Sequence, residues 1–491
     1  MPPKPRYALM DRDDLAWEKS DEAVEEWERS LNKAEIYRAV GDLIKKHRPG
    51  EAVELHSPIR GGYNVFYRLE YKDGSSAAMR IPSKGIVMFP EEKIRYEVAT
   101  MRYVAANTTI PVPKVYYCGT AAENPAKSGP FIIMDYIEHE RTMSEALNDP
   151  AIEPGKSHAL DPNVSEQKLE FFYKQMANIV LQLSNLTFPR IGSLDEDKEG
   201  HISVIGRPLI QNMNSMLEFS SVSPTLLPSR LYQTSKEWYS ALADMHLAQL
   251  TFQQNDAVED EDDARDRYVA RQLFRQLASD GRLESEFEVD NHDNEPLFRL
   301  YSEDLRPTNV LIDKDDCVVG VIDWEFAYAA PVQFSYDPPW WLLLKGPEFW
   351  SGGYKAWMAA YEPRLKTFLR LLESEEKSML ASGMINLSTS SSQGLSLSQR
   401  MRKSWESQTW MINYAARNSW AFDGIYWRYL DTRFWGPNEE GDYRARVGLL
   451  TPEQKEAMEP FVKMKIEESK ERTLVERDDD YTATQWAKVL V

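Results

Sequence analysis

Two short polar segments, each joined directly to a strand-like apolar run, constrain this chain more than any other feature. The first, Ser302-Glu303-Asp304-Leu305-Arg306-Pro307-Thr308-Asn309, leads straight into Val310-Leu311-Ile312. The second, Asp323-Trp324-Glu325, follows the run Val318 to Ile322, and 19 residues separate Asp304 from Asp323. An Asp and an Asn five positions apart on one loop can supply a carboxylate and a hard oxygen ligand together. An Asp just after the next strand can complete such a set from across a hairpin. Either half alone also reads as a turn whose Asp and Asn serve only the backbone. Both halves together point to a functional site.

The pattern around these segments passes from strand to helix. Ile36, Val40, Leu43 and Ile44 share one helix face between Glu35 and His47. Val65, Tyr67, Leu69 and Tyr71 then alternate with Phe66, Arg68 and Glu70, and the turn pair Asp73-Gly74 leads to Ala77–Ile81, the pattern of a hairpin. A helix over 91–105 and the apolar run Phe131 to Met134 follow. Residues 1–50 read as a helical extension and 51–138 as an antiparallel sheet with one inserted helix.

From 139 to 491 the signals are mainly helical, with the small hairpin of 301–325 set among them. Leu169, Phe172, Tyr173, Met176, Ile179, Val180 and Leu183 mark one long amphipathic helix. The acidic stretch Asp256 to Asp266 reads as a helix end or solvated loop, with a metal-binding tail as the alternative. Ser382 to Gln399 reads as a mobile loop. Thr451-Pro452-Glu453-Gln454 has the spacing of a capping box with proline at the first helical position. The expected class is α+β and bilobal: a β-rich N-terminal lobe with one helix, then a larger, mainly α-helical C-terminal lobe.

Composition removes several alternatives. A chain of 491 residues exceeds one compact core. Its net charge of −20 argues against nucleic-acid and anionic-membrane partners. Two cysteines, Cys118 and Cys317, exclude a disulfide framework and a cysteine-based zinc site. No run of about 20 apolar residues suggests a membrane span. Residues 1–50 lack a signal-peptide core and carry many acids, which argues against a transit peptide. A reduced, cytoplasmic setting is the expectation.

The segment around Asp304 and Asp323 resembles the catalytic and metal-binding loops of the aminoglycoside phosphotransferase and choline kinase-like family, written HGDLxxxN and IDxE. The family has a protein-kinase-like fold and moves the γ-phosphate of ATP to a small-molecule hydroxyl. Phosphoryl transfer asks protein mainly for positioning and charge neutralisation. The resemblance implies ATP and Mg2+ as cofactors, Asp304 as catalytic base, and Asn309 and Asp323 as magnesium ligands. Glu325 matches a frequent acidic position, as a structural ion pair or a metal contact.

Ile59-Arg60-Gly61-Gly62-Tyr63-Asn64 is similar to the family's glycine loop, GGxxN, whose backbone approaches phosphate. Met134-Asp135-Tyr136-Ile137 resembles the hinge, where the Asp135 carbonyl and Ile137 N–H would receive adenine. Glu97 resembles the helix-borne glutamate that orients the phosphate-binding cation; by itself it reads as a solvated helix charge. The resemblance covers roughly residues 55 to 350.

Three positions depart from the pattern. Arg80 stands where the third strand should carry lysine, and a guanidinium can grip phosphate and Glu97 bidentately with a different geometry. Ser302 and Glu303 replace the usual histidine and glycine. These changes keep a catalytically weak or inactive pseudokinase, acting as a binding or scaffold module, as the alternative. No activation segment follows Asp323, which argues against a protein substrate. Nine of the 14 tryptophans fall between 340 and 435 and could line an acceptor pocket or simply pack helices. Glu348, Asp423 and Asp431 are candidate acids for an amino-bearing acceptor. Acceptor identity and oligomeric state stay open.

Overall fold

The computed structural model describes residues 13–287, 298–383 and 395–491. They form two compact units: 13–21, 211–287 and 404–491 make one, 22–210, 298–383 and 395–403 the other. The architecture is α+β with antiparallel sheets.

The second unit opens on helices α1 (Asp14–Leu31, from Glu22 onward) and α2 (Ala34–His47). A six-stranded antiparallel sheet follows, with strands β1 (Ala52–Leu55), β2 (Ile59–Arg60), β3 (Asn64–Tyr71), β4 (Ser76–Pro82), β5 (Val115–Gly119) and β6 (Phe131–Tyr136). Their order is β1-β3-β4-β6-β5, with β2 paired to β3. Gly74, at φ +81°, makes the β3–β4 turn that the Asp-Gly pair announces. The alternation along β3 is the reason one sheet face is dry: Val65, Tyr67, Leu69 and Tyr71 meet Val40, Leu43 and Ile44 of α2, with Trp27 and Leu31 of α1. Burying each such side chain contributes about 1.5–3 kcal/mol. β4 is buried along its whole length, so Arg80 at its centre has no exposed side.

Helix α3 (Pro90–Asn107) starts on proline at a position where a missing N–H costs nothing, with Glu91 and Glu92 in its first turn. Ile94, Val98, Met101 and Val104 bury one stripe. Lys93, Glu97 and Thr100 form a second stripe at helical spacing, and it is buried too.

The rest of this unit contains β7 (Arg141–Thr142), α4 (Met143–Leu147) and the long helix α5 (Glu166–Ser184), capped by the Ser165 hydroxyl. Strands β8 (Thr187–Phe188), β9 (Ser193–Glu196), β10 (Ile202–Gly206), β11 (Phe298–Ser302), β12 (Val310–Ile312), β13 (Val318–Val321) and β14 (Ala327–Pro331) make three small sheets: β14-β11-β8, β13-β12-β7 and β10-β9. The stretch read as a mobile loop lies mostly on 384–394, outside the described residues; a helix, Leu397–Ser407, already begins inside its last part.

The first unit is helical. Helices Ser235–Phe252 and Glu261–Ser279 pack together. The acidic stretch serves as a helix start: the Asp260 side chain accepts from the Asp263 N–H at 2.9 Å. Thr451 and Gln454 form the expected capping box on helix Pro452–Glu471. Cys118 and Cys317 are free thiols. Among the described residues no helix is long and apolar enough to cross a membrane.

Candidate functional site

The hairpin β12–β13 sets the site's spacing. Val310 pairs with Val321, and the Ile322 N–H donates to the Asn309 carbonyl at 2.9 Å. The end of the first polar segment therefore lies against the start of the second. The Asn309 side-chain amide donates to the Asp304 carbonyl at 2.8 Å and to its Oδ2 at 2.9 Å. Those two acceptors fix the amide's orientation and leave Asn309 Oδ1 as the acceptor end. Arg306 Nε pairs with Asp304 Oδ1 at 2.8 Å. Burial pushes the Asp304 carboxyl up to about 6; Asp323 and Glu325 add to the rise, while Arg306 and Asn309 oppose it.

Asp323 and Phe326 sit in the left-handed region, at φ +57° and +59°. A non-glycine residue there costs of order 1–3 kcal/mol and persists only where its surroundings hold it. Trp324, buried between them, donates its indole N–H to the Val321 carbonyl at 3.0 Å. Phe326 meets Tyr63 of the glycine turn edge-on, with ring centroids 5.6 Å apart. From this turn the Asp323 carboxylate meets Arg80.

Arg80 occupies the centre of the site. Its guanidinium pairs with Glu97 of α3 and, through Nη1, with Asp323 Oδ1 at 2.7 Å. The guanidinium divides its two ends between Glu97 and Asp323, and Glu97 is a buried ion-pair partner instead of a solvated charge. Burial raises the Asp323 pKa against the pull of Arg80, with Glu325 adding a like charge. The Asp323 side chain keeps 31% of its surface exposed.

A cation that sequence reasoning did not single out completes the arrangement. Lys93 pairs with Glu325 and donates to Asn64 Oδ1 at 2.9 Å, and Asn64 Nδ2 donates to Glu325 Oε2 at 3.1 Å. Glu325 is thus an ion-pair residue, the first of its two expected readings. Burial opposes its charge, but Lys93 overcomes that and holds its pKa below the ordinary carboxylate value. The one available sequence signal for Lys93 was its place four residues before Glu97 on the same helix.

Gly61 and Gly62 make the β2–β3 turn, where Gly61 N–H donates to the Asn64 carbonyl at 2.9 Å. Neither has a positive φ, and a Cβ on Gly62 would meet nothing within 4 Å. Asp135, next to last in β6, lies opposite Ala77, and its carboxylate accepts from the Tyr116 hydroxyl at 2.5 Å. Ile137 follows, and its side chain lies over Gly320 of β13. The structure thus holds these residues in three bonded groups, Asn64 with Lys93 and Glu325, Arg80 with Glu97 and Asp323, and Asn309 with Asp304.

Two of the acids proposed for an amino-bearing acceptor are committed elsewhere. Asp423 is held bidentately by Arg271 at 2.6 and 3.0 Å, and Asp431 by Arg446 at 2.7 and 3.0 Å. Glu348 lies on the turn Pro347–Phe349. Trp341, Trp357, Trp410 and Trp420 are buried, the packing role.

The strained turn after the hairpin thus carries carboxylate oxygens beside two buried cations, Arg80 and Lys93. Residues 175–372 match the model of the phosphotransferase enzyme family, APH. Among curated proteins it is similar to altered inheritance of mitochondria protein 9, mitochondrial, of Saccharomyces cerevisiae, with 28% identity over 176 residues. That match covers 34% of this chain and 26% of the relative. The protein of the same name from Clavispora lusitaniae is 24% identical over 308 residues, 57% of this chain and 48% of the relative. The chain thus spans about half or less of these relatives' length.

Among solved structures, a putative aminoglycoside phosphotransferase from Ralstonia eutropha is 13% identical, with TM-score 0.43, covering 88% of this chain and 98% of its own. An ethanolamine kinase from Plasmodium vivax is 10% identical, with TM-score 0.42 and 95% of each chain covered.

The relatives' names correct one expectation. They are mitochondrial proteins by name, which points away from the cytoplasmic location expected here. Net charge and the acids of residues 1–50 report on solubility, which a protein needs in either compartment.

Proposed function

We propose that the protein is an ATP-dependent phosphotransferase that moves the γ-phosphate to a hydroxyl of a small molecule. The observation that carries this reading is the meeting of two bonded groups, Asp304–Asn309 and Glu97–Arg80–Asp323, whose segments are joined by the Ile322 N–H bond to the Asn309 carbonyl. In it Asp304 is the base that takes the acceptor's hydroxyl proton. Its raised pKa, about 6, suits that task near neutral pH.

The donor set fits Mg2+. Asn309 Oδ1 and Asp323 Oδ2 are hard oxygens with no hydrogen-bond donor among the described residues, on segments the hairpin holds together. Bound there, the ion would neutralise charge on the nucleotide phosphates. Arg80, steadied by Glu97, contributes a fixed positive charge beside it. Gly61 and Gly62 would lie along the phosphates, and Asp135 and Ile137 would receive adenine. The family match over 175–372 supports a small-molecule acceptor. The relatives' names further suggest a mitochondrial location, which fractionation would check.

The deciding measurement is acceptor-dependent ADP release from Mg-ATP across a panel of amino alcohols and sugars. Wild type should turn over, and Asp304→Asn should lose about 10²–10⁴-fold in kcat, the usual weight of a general base. The pseudokinase alternative rests on the Arg80–Asp323 pair, which engages one oxygen of the proposed metal ligand. Mg-ATP binding without turnover on any acceptor would favour it, no binding at all would sink the phosphotransferase reading, and turnover that depends on Asp304 would rule the alternative out.

A further inference from the structure

The phosphotransferase reading leaves one buried cation without a task. Lys93 is 1% exposed, and burial pulls its pKa down. Charged groups are kept inside a protein only when they are paired and hydrogen-bonded. Lys93 is both, through Glu325 and Asn64.

These contacts form a closed triangle, Asn64–Lys93–Glu325, beside the open chain Glu97–Arg80–Asp323. Each takes one member from the sheet (Asn64 at the start of β3, Arg80 in β4), one from α3 and one from the strained turn after β13. The helix members are four residues apart and the turn members two. A turn tied at Asp323 alone could pivot about that contact. The second tie at Glu325 removes the pivot and fixes the direction in which the Asp323 carboxylate points. The triangle also connects this turn to the glycine turn, because Asn64 immediately follows Tyr63.

We propose that Lys93 is a positioning residue for metal binding and that it acts through Glu325. By neutralising Glu325 and anchoring it to Asn64, it holds the turn so that Asp323 Oδ2 is presented beside Asn309 Oδ1. The inference rests on the reading of Asp323 as a metal ligand. A purely structural salt bridge would affect stability, but it would not change how much metal improves nucleotide binding.

The test measures the dissociation constant of a fluorescent ATP analogue, once with Mg2+ and once with EDTA. Their ratio is the metal's contribution. Lys93→Met should shrink that ratio by about tenfold, a size typical of coupling between two ligands. The EDTA value should move by less than about threefold, since groups away from the metal are then unaffected. Lys93→Arg should keep most of the ratio. In a Glu325→Gln background, Lys93→Met should cost less than about threefold more, because residues acting as one unit are not additive.

A folded Lys93→Met protein with the wild-type ratio would overturn the proposal. So would an equal loss in both backgrounds. Should Lys93→Met fail to fold, the double variant Lys93→Met/Glu325→Gln, which buries no unpaired charge, takes its place; a wild-type ratio there overturns the proposal and a lost ratio supports it. A wild-type protein with no metal-dependent binding would bring down the phosphotransferase reading and this inference together. A binding wild type with an indifferent Lys93 variant would bring down the inference alone.

Discussion

Histidine 246 shows how far a buried side chain can leave its solution chemistry. Its Nε2 lies 3.1 Å from the Ala416 carbonyl and its Nδ1 3.0 Å from the Ser419 hydroxyl. The first contact requires a donor and the second suits an acceptor, so the ring is the neutral Nε2–H tautomer. Burial, helped by the Arg271 guanidinium, pushes its pKa down to about 3. Above pH about 6.5 the ring is neutral in folded and unfolded chains alike. Below that the unfolded chain takes a proton that the folded one refuses, so stability falls as pH drops toward 3. From pH 7.5 to 5 this one group should remove about 2 kcal/mol. Urea unfolding at the two pH values checks it, and His246→Gln should flatten the dependence.

Among the elements, α3 carries most of the lesson about legibility. Its existence was readable from residues 91–105, because Ile94, Val98, Met101 and Val104 recur at helical spacing. Its second face was not. Lys93, Glu97 and Thr100 have the composition of a solvated stripe, and only the tertiary fold lays Arg80 and Glu325 against it. The hairpin behaved differently: loop and strand lengths already announced that the segments bearing Asp304, Asn309 and Asp323 lie side by side. The left-handed turn at Asp323 and Phe326 was hidden, since neither residue type announces that conformation.

The placement of α3 also depends on β10. A Cβ on Gly206 would meet the Tyr96 ring at 2.5 to 2.6 Å, and a ring cannot swing aside as a flexible chain end can. Gly206→Ala should therefore destabilise the protein by about 1–3 kcal/mol, the usual range for overpacking. Thermal unfolding measures that loss. Because Tyr96 lies on the helix that bears Lys93 and Glu97, the substitution should also weaken Mg-ATP binding.

For the whole molecule, local periodicity reveals elements but not which distant segments share a core. Residues 211–287 and 404–491 belong to one compact unit although a long stretch of chain parts them. Charge, by contrast, is legible without structure: 78 acidic against 58 basic side chains. Exposed ion pairs contribute little each, so screening them loses little. Relief of the net repulsion should win, and raising salt from about 20 to 200 mM should lift Tm by about 2–4 °C. A melting series in sodium chloride tests the sign.

The network around Arg80 and Lys93 also bears on how such a site can change over generations. Lysine at position 80 would reach Glu97 or Asp323, whereas the guanidinium spans both. A replacement that removes one charge from the network strands its buried partner, so such changes are tolerated best as paired substitutions. Drift at one position is therefore conditional on its neighbours, and the off-pattern arginine, once fixed, is difficult to reverse.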